Sequence, residues 1–461
     1  MDSDHLFDLL IVGGGINGAG IARDASGRGL SVALSDKGDF AGATSWASSK
    51  LIHGGLRYLE NMEFSLVRES LREREVMLRI APHLTRPIRF VMPHANGKGR
   101  AARPVWLIRL GLWFYDHLGG IRTVPGSEGV DLASSPFGEP LKPGFKDGFI
   151  YSDVQVDDAR LTLANLQDAA QRGASIFPRT RLVSARRAGN LWLVKLQAES
   201  DEPFEISCRA IVNACGPWAG QVHRALGGRD KVDIQLVRGS HIIVPRLYAG
   251  DHAYTLQHDD GRIVFLIPFG SAHTMIGTTE VRMSDPDVLP QASPEEIEYL
   301  CHVVNGYLRK PISPADVVWH FAGVRPLLND GQQTAARISR EYRFIIDHPQ
   351  AGDAPLLTIV GGKLTTYRRL AEKALAALAS TFDRMGPSWT ATATLPRRTI
   401  DAAAERGHHF GAGLYERDVR YFIEREWAHN ADDILWRRTK KGLGMTLKQR
   451  SDFSEWLEFN R

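Results

Sequence analysis

Three glycines, Gly13, Gly15 and Gly18, follow the apolar run Leu9-Leu10-Ile11-Val12 directly and repeat the spacing G-x-G-x-x-G. The run reads as a buried parallel strand. A helical pattern through Ile21, Ala22 and Ala25 closes at Gly27-Arg28-Gly29, and a second strand over 30–35 ends in Asp36. Such a turn serves anion binding: bare backbone approaches a pyrophosphate, the helix N-terminus offers N–H groups and a positive dipole, and the acid meets a ribose hydroxyl. Asp36 lies 23 residues beyond Gly13, close to the spacing that contact needs. A lone glycine motif is weak, but strand, helix, second strand and acid in order favour dinucleotide binding over a plain βαβ turn.

The elements behind this turn narrow the dinucleotide. Asp157 is placed to cap a helix through Leu161, Leu163 and Leu166 to Arg172, followed by a strand at Ser175-Ile176-Phe177. A meander through Leu191-Trp192-Leu193-Val194 leads to a strand over 210–214 that ends in Cys215-Gly216-Pro217-Trp218. This order is similar to the way two-dinucleotide-fold flavoproteins complete an FAD site. No second glycine motif follows, so FAD is preferred to an internal NAD site.

Composition bounds the rest. Among 461 residues, 57 Lys plus Arg against 53 Asp plus Glu give a net charge of +4, which argues against nucleic acid as a partner. The three cysteines, Cys208, Cys215 and Cys301, form no C-x-x-C pair, so neither a disulfide framework nor a metal site is expected, and a reducing compartment fits. His408, His409 and His429 likewise have no metal-ligand context. Asp2, Asp4 and Asp8 stand where a secretory leader needs basic residues, so the mature protein is expected to begin near Met1. No apolar stretch reaches the roughly 18 residues that cross a bilayer, so any membrane contact is expected to be peripheral.

Ala43-Thr44-Ser45 and then Ser48-Ser49-Lys50-Leu51-Ile52-His53-Gly54-Gly55-Leu56-Arg57-Tyr58-Leu59-Glu60 closely resemble the segment after the second strand in bacterial FAD-dependent glycerol-3-phosphate dehydrogenases. Residues 213–218, Arg238-Gly239-Ser240-His241, Gly277-Thr278-Thr279, Gly323-Val324-Arg325-Pro326-Leu327 and Gly361-Gly362-Lys363-Leu364-Thr365-Thr366-Tyr367-Arg368 agree, so the resemblance spans nearly the whole chain. It implies an aerobic enzyme that oxidises sn-glycerol 3-phosphate to dihydroxyacetone phosphate with FAD and passes electrons to ubiquinone or menaquinone. The enzyme would be cytoplasmic, in peripheral contact with the inner face of the cell membrane, and a homodimer is left open. By the same resemblance, Gly13, Gly15, Gly18, Asp36, Ser45, Ser49, Lys50, His53, Gly216, Gly362, Lys363, Leu364 and Thr365 contact the cofactor. Arg57, Tyr58, Thr278 and Lys363 contact the substrate. Two alternatives stand beside this reading. One is the related oxidase, which delivers electrons to oxygen and usually carries an extra insertion not seen here. The other is a catalytically impaired flavin-binding protein, against which the retention of Arg57, His241, Arg325 and Lys363 argues.

Oxidising a secondary alcohol with a flavin requires a hydride acceptor, a group to take the hydroxyl proton and, for a phosphorylated substrate, cations to hold the phosphate. Arg57, Arg325 and Lys363 are cations from three distant segments. Singly, each reads as a surface charge; the resemblance gathers them around the flavin. His241 opens the apolar run Ile242-Ile243-Val244, expected in an antiparallel sheet with strands over 262–268 and 274–278. Its unperturbed pKa near neutrality makes it the natural general base, with a binding or flavin-orienting role as the equal alternative. Arg325 cannot readily be a base and is expected to stabilise negative charge on the alcohol oxygen.

The fold expected is α/β: a two-dinucleotide-fold, D-amino-acid-oxidase-like FAD domain with a mixed antiparallel substrate lobe and a small α-helical C-terminal domain. The oxidoreductase domain takes 1–385, with FAD parts at about 1–86, 149–236 and 325–385 and the substrate lobe at about 87–148 and 237–324. The cap, 386–461, is expected to be shortened by a few dozen residues. Gly361-Gly362 should open a long amphipathic helix, its N-terminus and Lys363 assisting the reduced flavin. In the first insertion Lys98, Arg100, Arg103 and Arg109 alternate with Trp106, Leu107, Ile108, Leu110, Leu112, Trp113 and Phe114. Taken alone, that pattern favours a helix burying aromatics in the core over an interfacial segment.

Overall fold

The computed structural model describes residues 6–60, 62–94, 104–199, 201–329, 340–348, 350, 352–401 and 405–460. The chain divides into unit 1, Met1–Trp46, Asp157–Ile234 and Arg340–Arg461, and unit 2, Ala47–Val156 and Gln235–Ser339.

In unit 1 the strand Leu6–Val12 is buried from Leu9 onward, which is why its sequence is apolar without alternation. It pairs in parallel with Phe204–Asn213 on one side and Val32–Ser35 on the other. Leu356–Val360 and Ser175–Phe177 extend the parallel sheet, and Arg343–Asp347 closes one edge antiparallel. The helix Ile16–Gly27 lies close on this sheet because the residues it turns inward, Ala19, Ala22 and Ala25, are small and fully buried. Gly20 leaves room for the Tyr367 ring: a Cβ there would stand 2.6 Å from Tyr367 Cδ2. Asp157 caps the helix Asp158–Gln171 by accepting from the Arg160 N–H at 3.2 Å. On the opposite side, the meander Thr180–Ala188 and Leu191–Ala198 returns onto Phe204–Asn213 and packs Trp192, Val194 and Leu196 with Phe7, Leu10 and Ile211.

The C-terminal cap belongs to unit 1. It has its own core, in which Phe410, Val419, Phe422, Ile434, Phe453 and Leu457 are buried together. Charged pairs fasten it to the rest of the unit: Arg160 with Glu426, Arg179 with Asp433 at 2.8 Å, and Lys440 with Asp157 at 2.5 Å. The stretch leading to it lays the Trp389 ring against Gly27, with the Arg172 guanidinium 4.0 Å from the ring centroid.

Unit 2 is a mixed sheet in the order Val281–Met283, Ile234–Pro245, His273–Gly277, Ile263–Phe269, Ala253–Gln257, Thr85–His94, Asp147–Val156, Leu51–Ile52. Trp319–Leu328 also pairs with Ile234–Pro245. The helix Pro294–Tyr307 supplies Leu300, Val303 and Val304 to the core under this sheet.

Three boundaries differ by more than a few residues from the sequence reading. Residues 47–86 and 149–156, assigned there to the flavin part, fall in unit 2, because Leu51–Ile52 and Thr85–His94 both pair with Asp147–Val156. Residues 325–329 fall there as well, because Trp319–Leu328 runs through the expected boundary as one strand. The expectation of a core aromatic helix also fails. Val105–His117 is a helix, but among its large apolar residues only Leu112 and Tyr115 are buried, while Trp106 is 66% and Trp113 53% exposed. Lys98, Arg100 and Arg103 lie outside the described residues.

Candidate active site

The glycine turn of unit 1 has three glycines with three different duties. Gly13 has φ 109°, and a Cβ on it would stand 2.6 Å from the Ala214 carbonyl oxygen. A Cβ on Gly18 would stand 1.9 Å from the Gly13 carbonyl oxygen. These two are required by the turn itself. Gly15 is extended at φ −76°, and a Cβ on it would meet only Ser45 Oγ, at 3.1 Å, so the bare backbone there faces open space. Ser45 Oγ accepts from the Ile16 N–H at 2.9 Å and fixes the neighbouring loop to the helix N-terminus.

Asp36 stands at the end of the second strand and accepts from the Gly14 N–H at 2.6 Å and the Gly38 N–H at 2.8 Å. Burial pushes its carboxyl pKa up, opposed by those two N–H groups. A second glycine pair closes the cradle. Gly361 and Gly362 have φ 77° and 103°, and the Gly361 carbonyl accepts from Asn17 Nδ2 at 3.2 Å. Asn17 Oδ1 is buried with no hydrogen-bonding partner among the described residues. An open turn at a helix N-terminus, an acid at the second strand end and an orphaned amide oxygen beside the second glycine pair fit the polar groups of FAD. Gly216, φ 53°, opens the short turn Gly216–Trp218 after the strand Phe204–Asn213. The expected helix after Gly362 begins later: Lys363 is followed by a single 3₁₀ turn, Leu364–Thr366, and the α-helix is Tyr367–Ala377. The turn holds Leu364 and the buried Thr365, so its groups, rather than an α-helical first turn, stand next to Lys363.

Unit 2 collects a different set. His241 lies in Ile234–Pro245 opposite Gly277, where a Cβ would come 2.1 Å from the imidazole. Its ring stacks on Phe321 with centroids 4.9 Å apart and planes 13° from parallel. His241 Nε2 and Ser49 Oγ are 2.9 Å apart, and Nδ1 is buried without a partner among the described residues. Burial first, then the positive charges of Arg325 and Lys50, push the imidazole pKa down to about 3. The ring is therefore neutral at ordinary pH. Lys50, held at φ 56°, places its ammonium 5.2 Å from the centroid of the same Phe321 ring. Arg325, from Trp319–Leu328, donates to Thr278 Oγ1 at 3.3 Å and passes over Gly239, where a Cβ would stand 2.7 Å from Nη2. Its other nitrogen is 3.7 Å from Glu280.

Thus Ser49, Lys50, His241, Thr278 and Arg325 are brought together, with Ser49 on the histidine. Arg57 and Tyr58 sit in the same unit on the 3₁₀ turn Leu56–Leu59, entered through Gly55 at φ 78°. His53 lies three residues before Leu56 on this segment. Two contributors were missed from the sequence. Phe321 looks like any core aromatic of an apolar strand. Glu296 pairs with Arg238 at 2.6 Å and accepts from Ser240 Oγ at 2.9 Å and Thr279 Oγ1 at 2.5 Å, tying the strand that carries His241 to the turn after Gly277. Its signal was present as the capping box Ser293-x-x-Glu296.

A dinucleotide cradle on a parallel sheet in unit 1, and a neutral buried histidine with a fixed arginine in unit 2, define a flavin-dependent oxidoreductase. The profile of the family of FAD dependent oxidoreductases matches residues 8–368, and the chain belongs to that family. It is 44% identical to a glycerol-3-phosphate dehydrogenase of Pseudomonas aeruginosa, over 98% of this chain and 95% of that one. It is 42% identical to a D-erythritol 1-phosphate dehydrogenase of Brucella abortus, over 98% and 97%. The fold is shared with a glycerol-3-phosphate dehydrogenase of Bacillus halodurans solved with FAD: TM-score 0.69, 24% identity, 99% of this chain and 95% of that one.

Proposed function

We propose that this chain oxidises the C2 hydroxyl of sn-glycerol 3-phosphate to the ketone of dihydroxyacetone phosphate and that its electrons leave to a membrane quinone. The observation that carries the reading is the buried, neutral His241 beside the fixed guanidinium of Arg325, in a chain matched end to end by glycerol-3-phosphate dehydrogenases. Bound FAD supplies the two-electron acceptor. Ser49 Oγ, 2.9 Å from Nε2, orients the neutral ring, and the imidazole lone pair accepts the hydroxyl proton. Arg325 stabilises the negative charge that develops on the alcohol oxygen. Arg57 and Lys363 hold the phosphate, with Tyr58 and Thr278 lining the rest of the substrate.

The Brucella relative supports a second substrate, a tetritol phosphate longer by one hydroxymethylene. Anaerobic titration of the oxidised enzyme separates the two: glycerol 3-phosphate should bleach the flavin band at lower concentration than D-erythritol 1-phosphate. The reverse order would transfer the assignment to the longer substrate, and no bleaching by either would leave a flavoprotein of another function. Arg57→Ala should raise the half-saturating concentration about ten- to a hundredfold, because a charged hydrogen bond to phosphate contributes about 1.5–3 kcal/mol.

The same proposal includes peripheral membrane contact at the cytoplasmic face. No helix among the described residues is long and apolar enough to cross a bilayer. What supports contact is the exposed row Trp106, Leu107, Leu110 and Trp113 on Val105–His117, with Arg109 beside it. Tryptophans next to cations suit the headgroup boundary of anionic lipid. The protein should float with phosphatidylglycerol vesicles and leave them as salt rises, and Trp106→Ser with Trp113→Ser should abolish flotation. Flotation unchanged by the pair of substitutions would clear this helix of the role.

A further inference from the structure

The loop of residues 36–42 folds back over the glycine turn. Ala41 N–H donates to the Gly14 carbonyl at 3.1 Å, and Gly42 N–H to the Asp39 carbonyl at 2.9 Å. Phe40 is fully buried with its ring against Gly14, where a Cβ would come 2.3 Å from Phe40 Cδ1. Asp36, between the Gly14 and Gly38 N–H groups, is the base of this loop. The loop thus sets the position of both the glycine backbone and the acid.

The side chains that fix the loop come from the far end of the chain. Arg438, its side chain fully buried, sets both terminal nitrogens on the Asp39 carboxylate, one of them at 2.8 Å, and also donates to the Glu426 carbonyl at 2.6 Å. Arg437 Nε donates to the same carboxylate while its terminal nitrogen pairs with Asp433. Two adjacent arginines reach one carboxylate because Asp433–Arg438 is a π-helix, whose wider turn brings neighbouring side chains closer in direction. Asp433 is itself held by the His429 N–H at 2.7 Å and by Arg179 at 2.8 Å, and the Arg179 N–H donates to the Gly38 carbonyl at 3.2 Å. The fastening is also apolar: the Trp427 ring stands edge-on to Phe40, centroids 5.3 Å apart and planes at 88°.

We propose that the C-terminal cap is a clamp for the adenosine end of FAD, in which Arg437 and Arg438 on Asp39, and Trp427 on Phe40, keep the 36–42 loop closed over the glycine turn. The arginines also offset the negative charge of Asp39, which otherwise adds to that of Asp36 next to the place where a diphosphate binds. They act on the cofactor through the loop and are positioning residues.

The test uses full-length protein stripped of flavin and titrated with FAD by fluorescence quenching. Arg438→Met, which removes the charge while keeping bulk, should raise the FAD dissociation constant about tenfold or more, and ADP, a fragment carrying the adenosine end, should weaken by the same factor. Turnover at saturating FAD should stay within about twofold of wild type. Trp427→Leu, a smaller disturbance, should shift FAD affinity in the same direction, and it keeps the question open to measurement if Arg438→Met does not fold. Wild-type affinity for FAD and ADP in either folded variant would overturn the proposal. So would loss of turnover at saturating FAD with affinity unchanged, which would move the cap's role to catalysis.

Discussion

Replacing His241 with Gln should slow anaerobic reduction of the bound flavin by about 10²–10⁴-fold, the range lost with a general base. Stopped-flow measurement at saturating glycerol 3-phosphate checks it. The near-neutral pKa for which the sequence singled out this histidine does not hold in the folded chain. Its pKa is pushed down to about 3, so protonation would inactivate the base only well below the pH range of an ordinary assay. From pH 5 to 8 the proton-accepting form is fully present, and the wild-type limiting rate should show no titration from His241. Gln retains a polar partner for Ser49 but offers no comparable base. If the variant keeps the wild-type limiting rate, the base lies elsewhere and His241 holds substrate. If the wild type shows an inflection between pH 6 and 7 that the variant lacks, the histidine regains its proton affinity once substrate is bound.

Gly15→Val should yield folded protein without flavin. The backbone at Gly15 is extended and accepts a branched residue, and a Cβ there meets only Ser45 Oγ at 3.1 Å. The side chain would therefore occupy the space in which a pyrophosphate approaches the helix N-terminus. Purified variant should carry less than about a tenth of stoichiometric FAD while its circular dichroism stays that of the wild-type apoprotein. Gly18→Ala provides the contrast. Its Cβ would stand 1.9 Å from the Gly13 carbonyl, so the turn itself must shift and stability should fall with or without cofactor. Stoichiometric FAD in Gly15→Val would remove the pyrophosphate from this turn.

Where the sequence was legible, the cause was local. Asp157 announces a helix because a carboxylate before an apolar-periodic run caps it, and Ser175–Phe177 is a strand at both expected ends. The glycine turn could be read residue by residue because its constraints act within a few bonds. The helix after Gly362 was placed too early because Thr365 and Thr366 are β-branched and disfavour a first α-turn. Residues 47–86 were misplaced because a two-residue strand, Leu51–Ile52, leaves no periodic trace, and its partner is about a hundred residues away. The low proton affinity of His241 depends on Phe321, Lys50 and Arg325, none of which a local window contains. Asp39 and Arg438 are separated by 399 positions and have no pattern in common, so only the folded chain reveals them as partners.

Unit 1 is written in three pieces of sequence, with both pieces of unit 2 between them. Its sheet places Phe204–Asn213 between Leu6–Val12 and Leu356–Val360, strands whose synthesis is separated by most of the chain. On a ribosome, the glycine turn emerges early and must wait: Phe204–Asn213 follows the first piece of unit 2, and Leu356–Val360, the second glycine pair and the cap arrive only after all of unit 2 has been made. Flavin capture is then a late event in biosynthesis, and a chain stalled before residue 356 would present an apolar sheet edge to the cell instead of a finished cofactor site.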